Sequence, residues 1–69
     1  MDEPLLGMVG QITVPVDADR PGEIVLFVRG GSEAFTAYSE GRQPIPKGTR
    51  CMVRDQSSPR SVVVAPCDW

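Results

Sequence analysis

Glycine and proline residues interrupt this 69-residue chain so often that no long helix can form. Between the interruptions lie five short apolar-rich runs, each too short for a stable helix and of ordinary strand length. Five short strands with tight turns in one small domain predict an all-β fold, a small five-stranded barrel or sandwich. The interruptions are Gly7, Gly10, Pro15, Pro21, Gly22, Gly30, Gly31, Gly41, Pro44, Pro46, Gly48, Pro59 and Pro66.

Local patterns within the runs predict further detail. Gly10 indicates a bulge or a close approach of another backbone in the first strand. The second run is continuously apolar from Ile24 to Val28, which predicts a strand that is buried on both faces or that crosses the centre of the barrel. Gly30 and Gly31 predict a tight hairpin turn, and a polar stretch at 56–59 predicts the last turn. The predicted strands are 7–16, 23–29, 33–39, 49–55 and 61–66.

Alternation along the last three runs assigns their residues to two faces of the sheet. Tyr38 is expected near the rim of the barrel, and Ile45 is expected to anchor the loop before the fourth strand. The residues predicted to face inward are Phe35, Ala37, Cys51, Val53, Val62 and Val64, and those predicted to face outward are Arg50, Met52, Arg54 and Val63.

The two cysteines, Cys51 and Cys67, are predicted to be reduced. A hairpin centred near residue 57 would place Cys51 opposite Val64 rather than Cys67, which disfavours a disulfide. Cys51 is expected to be buried, and Cys67 is expected to be exposed after Pro66 ends the ladder. Reduced thiols favour a cytoplasmic setting. Two cysteines without any histidine cannot form a four-ligand zinc site.

The charge balance excludes several classes of partner. The net charge is −2, from nine acidic and seven basic residues. This composition argues against nucleic-acid binding through phosphate neutralisation and against a polybasic membrane patch. No run approaches the roughly 20 apolar residues of a membrane helix, and no signal peptide is visible, so the chain as given is expected to be soluble.

The sequence predicts no catalytic, cofactor-binding or metal-binding residue, and therefore no cofactor. Without histidine, serine and cysteine nucleophiles lack their usual base. Lys47 lies in a Pro-Lys-Gly turn, where a solvated charge is the simplest interpretation. Asp17 and Asp19 lie in one loop, but calcium needs more oxygen ligands than this loop offers.

Two surface features leave a nucleic-acid-binding alternative open. Aromatic side chains could form a base-stacking platform from Phe27, Phe35 and Tyr38, although core packing is favoured for both phenylalanines. Arginines could also gather into a patch, although dispersed surface charges are the simpler interpretation. The arginines concerned are Arg29, Arg42, Arg50, Arg54 and Arg60.

A series of motifs runs through the chain in a fixed order. It begins with Gly-x-x-Gly-x-x-x-x-Pro at 7–15 and Pro-Gly-Glu-Ile at 21–24, and continues with Ala-x-Ser at 37–39. Ile-Pro-Lys-Gly-Thr at 45–49 and Val-Val-Val-Ala-Pro at 62–66 complete it. In this order and spacing, over about residues 6–66, the chain resembles the C-terminal domain of NfeD-like proteins. The stretch 28–39 looks most like the actinobacterial branch of that family.

The resemblance implies an OB-fold barrel at 7–66, and the remaining residues are predicted to be a flexible leader at 1–6 and a tail at 67–69. In the family, this domain follows membrane-spanning helices. Such proteins are commonly encoded beside stomatin/flotillin-type (SPFH) scaffold proteins, with which they are thought to act in membrane organisation. The resemblance thus implies a non-enzymatic protein-interaction domain with an SPFH partner. The chain departs from the family at Cys51, where valine or a similar residue is usual.

The outward residues predict where a partner would bind. An only partly closed barrel would offer a strand edge, and the barrel face is the other candidate. Because Met52 and Val63 are the apolar residues expected outside, the candidate partner contacts are Arg50, Met52, Arg54 and Val63. The alternative, a nucleic-acid-binding OB-fold domain, is disfavoured by the acidic balance and by the expected lack of exposed aromatic side chains.

Overall fold

The described residues, 5–28 and 30–67 of a computed structural model, form five strands in one closed barrel. The five-stranded all-β barrel predicted from the sequence is therefore confirmed. Around the barrel the strand order is β1-β2-β3-β5-β4, and β4 pairs again with β1. The strands are β1 Val9–Val14, β2 Gly22–Val28, β3 Gly31–Ser39, β4 Arg50–Ser58 and β5 Ser61–Pro66.

Every described strand has a neighbour on both sides, although β3 meets β5 only at 36–39 and β4 meets β1 only at 50–52. Antiparallel pairing joins the consecutive strands β1–β2, β2–β3 and β4–β5. Two further pairings close the ring, because β3 runs parallel to β5 and β1 runs antiparallel to β4. Contact through a strand edge, one of the two candidates, is therefore restricted, since closure uses part of the hydrogen-bonding groups that an open edge would offer to a partner.

The core lies inside the ring and receives apolar side chains from every strand. All six residues predicted to face inward are in it, and so is Ile45, the predicted loop anchor. Ile45 is held by backbone hydrogen bonds in both directions with Val16, 2.8 and 2.9 Å long. The buried hydrophobic residues are Leu5, Ile12, Val16, Ile24, Leu26, Phe35, Ala37, Ile45, Cys51, Val53, Val62 and Val64.

β2 is not buried on both faces, so the first of the two alternatives for its apolar run is wrong. Ile24 and Leu26 are fully buried, but Val25 between them is only half-buried and Phe27 is 74% exposed. A single closed barrel has one interior, and no second layer of the described chain covers the outer face of β2. The apolar run therefore divides by strand parity into an inner and an outer set.

Two turns lie where the sequence did not place them. Gly31 is the first residue of β3 and pairs with Val28, so the hairpin turn includes Gly30, at φ 78°, but not Gly31. The last turn is at 59–60 rather than 56–59, because Ser58 still belongs to β4 and pairs with Ser61. The register of β4 against β5 shifts twice before this turn, between Val53 and Asp55 and between Gln56 and Ser58.

Ordered structure extends past both ends of the predicted barrel region 7–66. Leu5 is buried in the core, and the N–H of Gly7 donates to the carbonyl of Val53 at 2.9 Å. At the other end the N–H of Cys67 donates to the carbonyl of Arg50 at 3.0 Å. The rest of the predicted leader and tail, at 1–4 and 68–69, lies outside the described residues. The described residues contain no helix that could span a membrane.

Candidate protein-interaction surface

The four predicted partner contacts lie on the outside of β4 and β5, and are called here the β4–β5 face. Met52 is opposite Ala65 of β5 and opposite Val9 of β1. Val63 is opposite Asp55 of β4 and beside Tyr38 of β3. Both apolar side chains are half-buried, whereas the two arginines are exposed. The β4–β5 face consists of Arg50, Met52, Arg54 and Val63.

Three of the arginines form ion pairs at separate places on the surface. The Nε of Arg54 lies 3.3 Å from Glu40, which ties the end of β3 to β4. Arg60 lies 3.3 Å from Glu33, and its guanidinium also stacks over the buried ring of Phe35, with 5.4 Å between the guanidinium carbon and the ring centroid. Arg42 lies 3.5 Å from Asp19. Exposed pairs of this kind contribute little stability, and each balances its cation locally.

A second apolar surface, which the sequence did not predict, lies beside the β4–β5 face. It is a groove of about 420 Å³ over the outside of β1 and β2. Phe27 is its most exposed wall, and Val9 is 38% exposed. Among the described residues that line it, Arg50 alone carries a charge. The Phe27 groove is lined by Val9, Gly10, Gln11, Thr13, Val25, Phe27, Gly48 and Arg50.

The exposure of Phe27 corrects the prediction that both phenylalanines pack in the core. Phe35 is buried as predicted, but Phe27 lies on the outer face of β2. The expected lack of exposed aromatic side chains is therefore wrong as well, because Tyr38 is also 44% exposed, on β3. A signal was available: Val25 and Phe27 share a parity opposite to Ile24 and Leu26, and a barrel this small buries only one face.

An apolar band connects the groove to the β4–β5 face. Val9, in the wall of the groove, pairs with Met52, and Met52 pairs with Ala65 on its other side. Arg50 belongs to both surfaces. The band crosses β1, β4 and β5 on the outside of the barrel, where an apolar strip is suited to contact with another protein.

The described residues offer no obvious chemistry besides binding. No three acidic, cysteine or histidine side chains among them come close enough to hold a metal ion. A carboxylate oxygen of Asp17 accepts a hydrogen bond from the N–H of Ala18 at 2.9 Å, which is the behaviour of a polar turn. A depression of about 690 Å³ between this turn and the loop at 44–46 is lined mainly by prolines and valines.

Both cysteines are free, as predicted, but their placement differs in part. Cys51 is fully buried, and burial raises the pKa of its thiol to about 11, with the neighbouring Cys67 as a smaller cause. Cys67 is half-buried rather than exposed, because its backbone continues the ladder onto Arg50. Cys51 lies opposite Pro66, not Val64, because the turn lies at 59–60, and the two register shifts in β4 offset only part of that displacement.

We expect a thiol reagent to label Cys67 in the native protein and Cys51 only after unfolding. The reactive species is the thiolate, which burial suppresses at Cys51. The measurement is mass spectrometry of peptides after timed alkylation at pH 8, with and without urea. A Cys67→Ser variant is the control and should remain unlabelled in the native state. Equal and fast labelling of both thiols in the native protein would contradict this placement of Cys51.

A family model described as the NfeD C-terminal domain matches residues 9–65, from the first strand to the last. The chain belongs to this family. Its NfeD domain includes every residue of the β4–β5 face and of the Phe27 groove. The resemblance found in the sequence is thus confirmed for the family, whereas the actinobacterial branch stays a prediction.

Two solved structures resemble this NfeD domain. One is the soluble domain of the NfeD protein YuaF from Bacillus subtilis, with a TM-score of 0.75 and 32% identity, over 87% of this chain and 70% of that chain. The other is the C-terminal domain of stomatin operon partner protein 1510-C from Pyrococcus horikoshii, with a TM-score of 0.75. It covers 94% of this chain and 91% of that chain, and at 23% identity it supports the fold alone. A comparison with curated proteins found no match.

Proposed function

We propose that this NfeD domain is a non-enzymatic protein-interaction domain that acts with a stomatin/flotillin-type (SPFH) membrane scaffold in membrane organisation. Membership of the family supports this, and one structural relative bears the name of a stomatin operon partner. The single observation that carries the proposal is the apolar band of Val9, Met52 and Ala65 on the outside of a closed barrel.

The proposed contact uses a face of the barrel rather than a strand edge. Some backbone pairs on one side only, as at 31–35 of β3 and 54–58 of β4. At the apolar band, however, Met52 pairs with both Val9 and Ala65, so backbone hydrogen bonding to a partner strand is unavailable there. Met52 and Val63 provide an apolar centre, and Arg50 and Arg54 lie at its rim. An apolar centre with a polar rim is the usual arrangement of a protein interface.

The contact is expected to be weak for the isolated domain. The barrel measures 32 × 23 × 18 Å, so one face offers several hundred Å², below the ~800 Å² per partner of a stable interface. In our proposal the domain belongs to a membrane-anchored protein, and anchoring both proteins in one bilayer raises their effective concentration. The free cysteines favour the cytoplasmic side of that membrane.

We expect the double variant Met52→Asp and Val63→Asp to reduce recovery of the scaffold about tenfold when the full-length, membrane-anchored protein is co-purified with its SPFH neighbour. Two carboxylates in the apolar centre would need costly desolvation on contact. Val14→Asp is the matched control, because Val14 is 48% exposed and lies outside both surfaces. Circular dichroism of the isolated domain verifies that each variant is folded. Unchanged recovery with a folded double variant would remove the β4–β5 face from consideration.

A further inference from the structure

We propose that the Phe27 groove binds an extended segment of a partner protein in which a large apolar side chain lies next to a carboxylate. This inference rests on the proposed function only in taking the ligand to be a protein. It assigns a second contact site, on the outside of β1 and β2, that the family resemblance did not suggest. The apolar walls, the single arginine and the small residues of the groove each specify part of the ligand.

The walls of the groove specify an apolar side chain. Phe27 exposes three quarters of its surface near the end of β2, and Val9 and Val25 also line the groove. A side chain that covers these three removes apolar area from water, which is favourable in proportion to the area. The volume of about 420 Å³ lies within the range of small binding pockets, ~300–1,000 Å³.

Arg50 specifies the carboxylate. It is the only charged residue among those lining the groove, and within the described residues it forms no ion pair. By contrast, Arg42, Arg54 and Arg60 each lie within 3.5 Å of an acidic partner. A cation that has no acidic partner among residues 5–28 and 30–67, beside an apolar wall and in a chain of net charge −2, is complementary to an acidic group of the ligand.

Two residues without side chains let the ligand approach the barrel closely. Gly10 and Gly48 line the groove with backbone only, and the exposed Gln11 lies in it as well. In register, Gln11 is opposite Arg50 of β4 on one side and Val25 of β2 on the other, and its amide can donate to or accept from the main chain of an extended segment. The groove thus combines an apolar site, a cation and an adaptable amide within the reach of a few residues.

Other occupants fit this chemistry less well. Single-stranded nucleic acid would stack on Phe27, but it needs several cations along its backbone, and the groove has one. A second copy of the chain, in a symmetric dimer through this groove, would place the same patch on both sides and bring two Arg50 side chains together. A protein segment with its own carboxylate avoids both problems.

The test is a titration of the whole 69-residue chain, labelled with ¹⁵N, with the acetylated peptide Ser-Asp-Leu-Phe-Asp-Ser. We expect amide shifts at Val9, Gln11, Val25 and Arg50 and little change at Val63. A peptide with lysine in place of both aspartates, and one with serine in place of Leu-Phe, should each bind at least about fivefold more weakly.

Two variants with matched controls test separately how the apolar wall and the arginine of the groove contribute to peptide binding. Phe27→Ser should weaken binding of the acidic peptide about tenfold, whereas Tyr38→Ser, at the other exposed aromatic residue, should not. Arg50→Glu should reverse the preference, so that the lysine peptide binds more tightly than the aspartate peptide. Arg54→Glu, a charge change of the same size outside the groove, should leave the preference unchanged.

Three results would overturn the proposal. One is that the acidic and lysine peptides bind the wild-type chain equally; another is tighter binding of oligothymidylate than of the peptide at the same amides. The third is that the groove amides shift with protein concentration alone, which would identify a second copy as the occupant. Met52 and Val63 do not line the groove. The effect of the Met52→Asp and Val63→Asp double variant on scaffold recovery therefore tests the proposed function separately from this proposal.

Discussion

Replacing Leu26 with alanine should lower the free energy of unfolding by about 3 kcal/mol, the usual cost of a cavity at a fully buried leucine. A domain of this size has a total stability of only ~3–10 kcal/mol. The variant should therefore lose a large part of its stability. The neighbouring change Phe27→Ala removes a larger side chain, but from the outer surface of the same strand, and should cost less than ~1 kcal/mol.

Urea denaturation followed by circular dichroism measures both changes. The paired comparison is informative because the two residues are adjacent, have similar hydrophobicity and share one backbone environment. If Phe27→Ala costs as much as Leu26→Ala, Phe27 does not lie on the outer face, and the groove described here does not exist. A change in the slope of the transition would indicate altered compactness rather than a simple loss of packing.

The second large effect is expected at Gly10, where alanine should destabilise the barrel by about 2–4 kcal/mol. An ideal Cβ at this position would collide with the carbonyl oxygen of Val25 and lie 2.6 Å from a methyl carbon of Leu26. The carbonyl belongs to the backbone of β2 and cannot move without disturbing the β1–β2 ladder. This close approach is the one that the sequence indicated for Gly10.

Gly31→Ala is the matched control for Gly10→Ala. At Gly31, the first residue of β3, the nearest atom to an added Cβ is the carbonyl oxygen of Val28 at 3.9 Å, which is ordinary contact. The backbone there has no positive φ, so the methyl group should change stability by less than ~1 kcal/mol. Equal midpoints of thermal unfolding for the two variants would mean that β1 does not pass as close to β2 as described.

The sequence predicted the inward residues of the later strands well because those strands carry a period-two pattern. In β5, Val62 and Val64 are buried and Val63 is not, as alternation requires. Cys51 and Val53 follow the same pattern in β4. One buried face and a regular backbone are sufficient for this inference, and it needs no knowledge of which strands are neighbours.

The register of β4 against β5 could not be predicted from the sequence. The turn lies later in the chain than expected, and two register shifts partly offset the displacement that results. The turn lies at 59–60, and an uninterrupted hairpin from that turn would place Cys51 opposite residue 68. Each register shift absorbs one residue of β4, so that Cys51 faces Pro66 instead. No residue type at 53–58 marks these shifts in the way that glycine marks the close approach at position 10.

The two candidate surfaces differ in how readily they can be predicted from the sequence. The β4–β5 face lies on two consecutive strands, so parity alone was enough to place Met52 and Val63 on its outer side. The Phe27 groove combines residues from β1, β2 and the start of β4. Those segments become neighbours only through the β1–β4 pairing, which joins residues about forty positions apart. In β2, parity separated Val25 and Phe27 from Ile24 and Leu26, but the apolar run did not show which of the two sets would face outward.

The way the ring is closed makes folding of the barrel all-or-none. The chain consists of a three-stranded meander, β1 to β3, and a hairpin of β4 and β5, joined along two non-local seams. Each piece alone would leave its half of the core facing water: Ile24 and Leu26 from the meander, Val53 and Val64 from the hairpin. The loops between the paired strands must close before contacts at the two non-local seams can stabilise the fold. The entropy lost on loop closure therefore slows folding. A partner that bridges β1 and β4 across the apolar band would hold one seam shut, and would therefore slow unfolding of the whole domain rather than of one part of it.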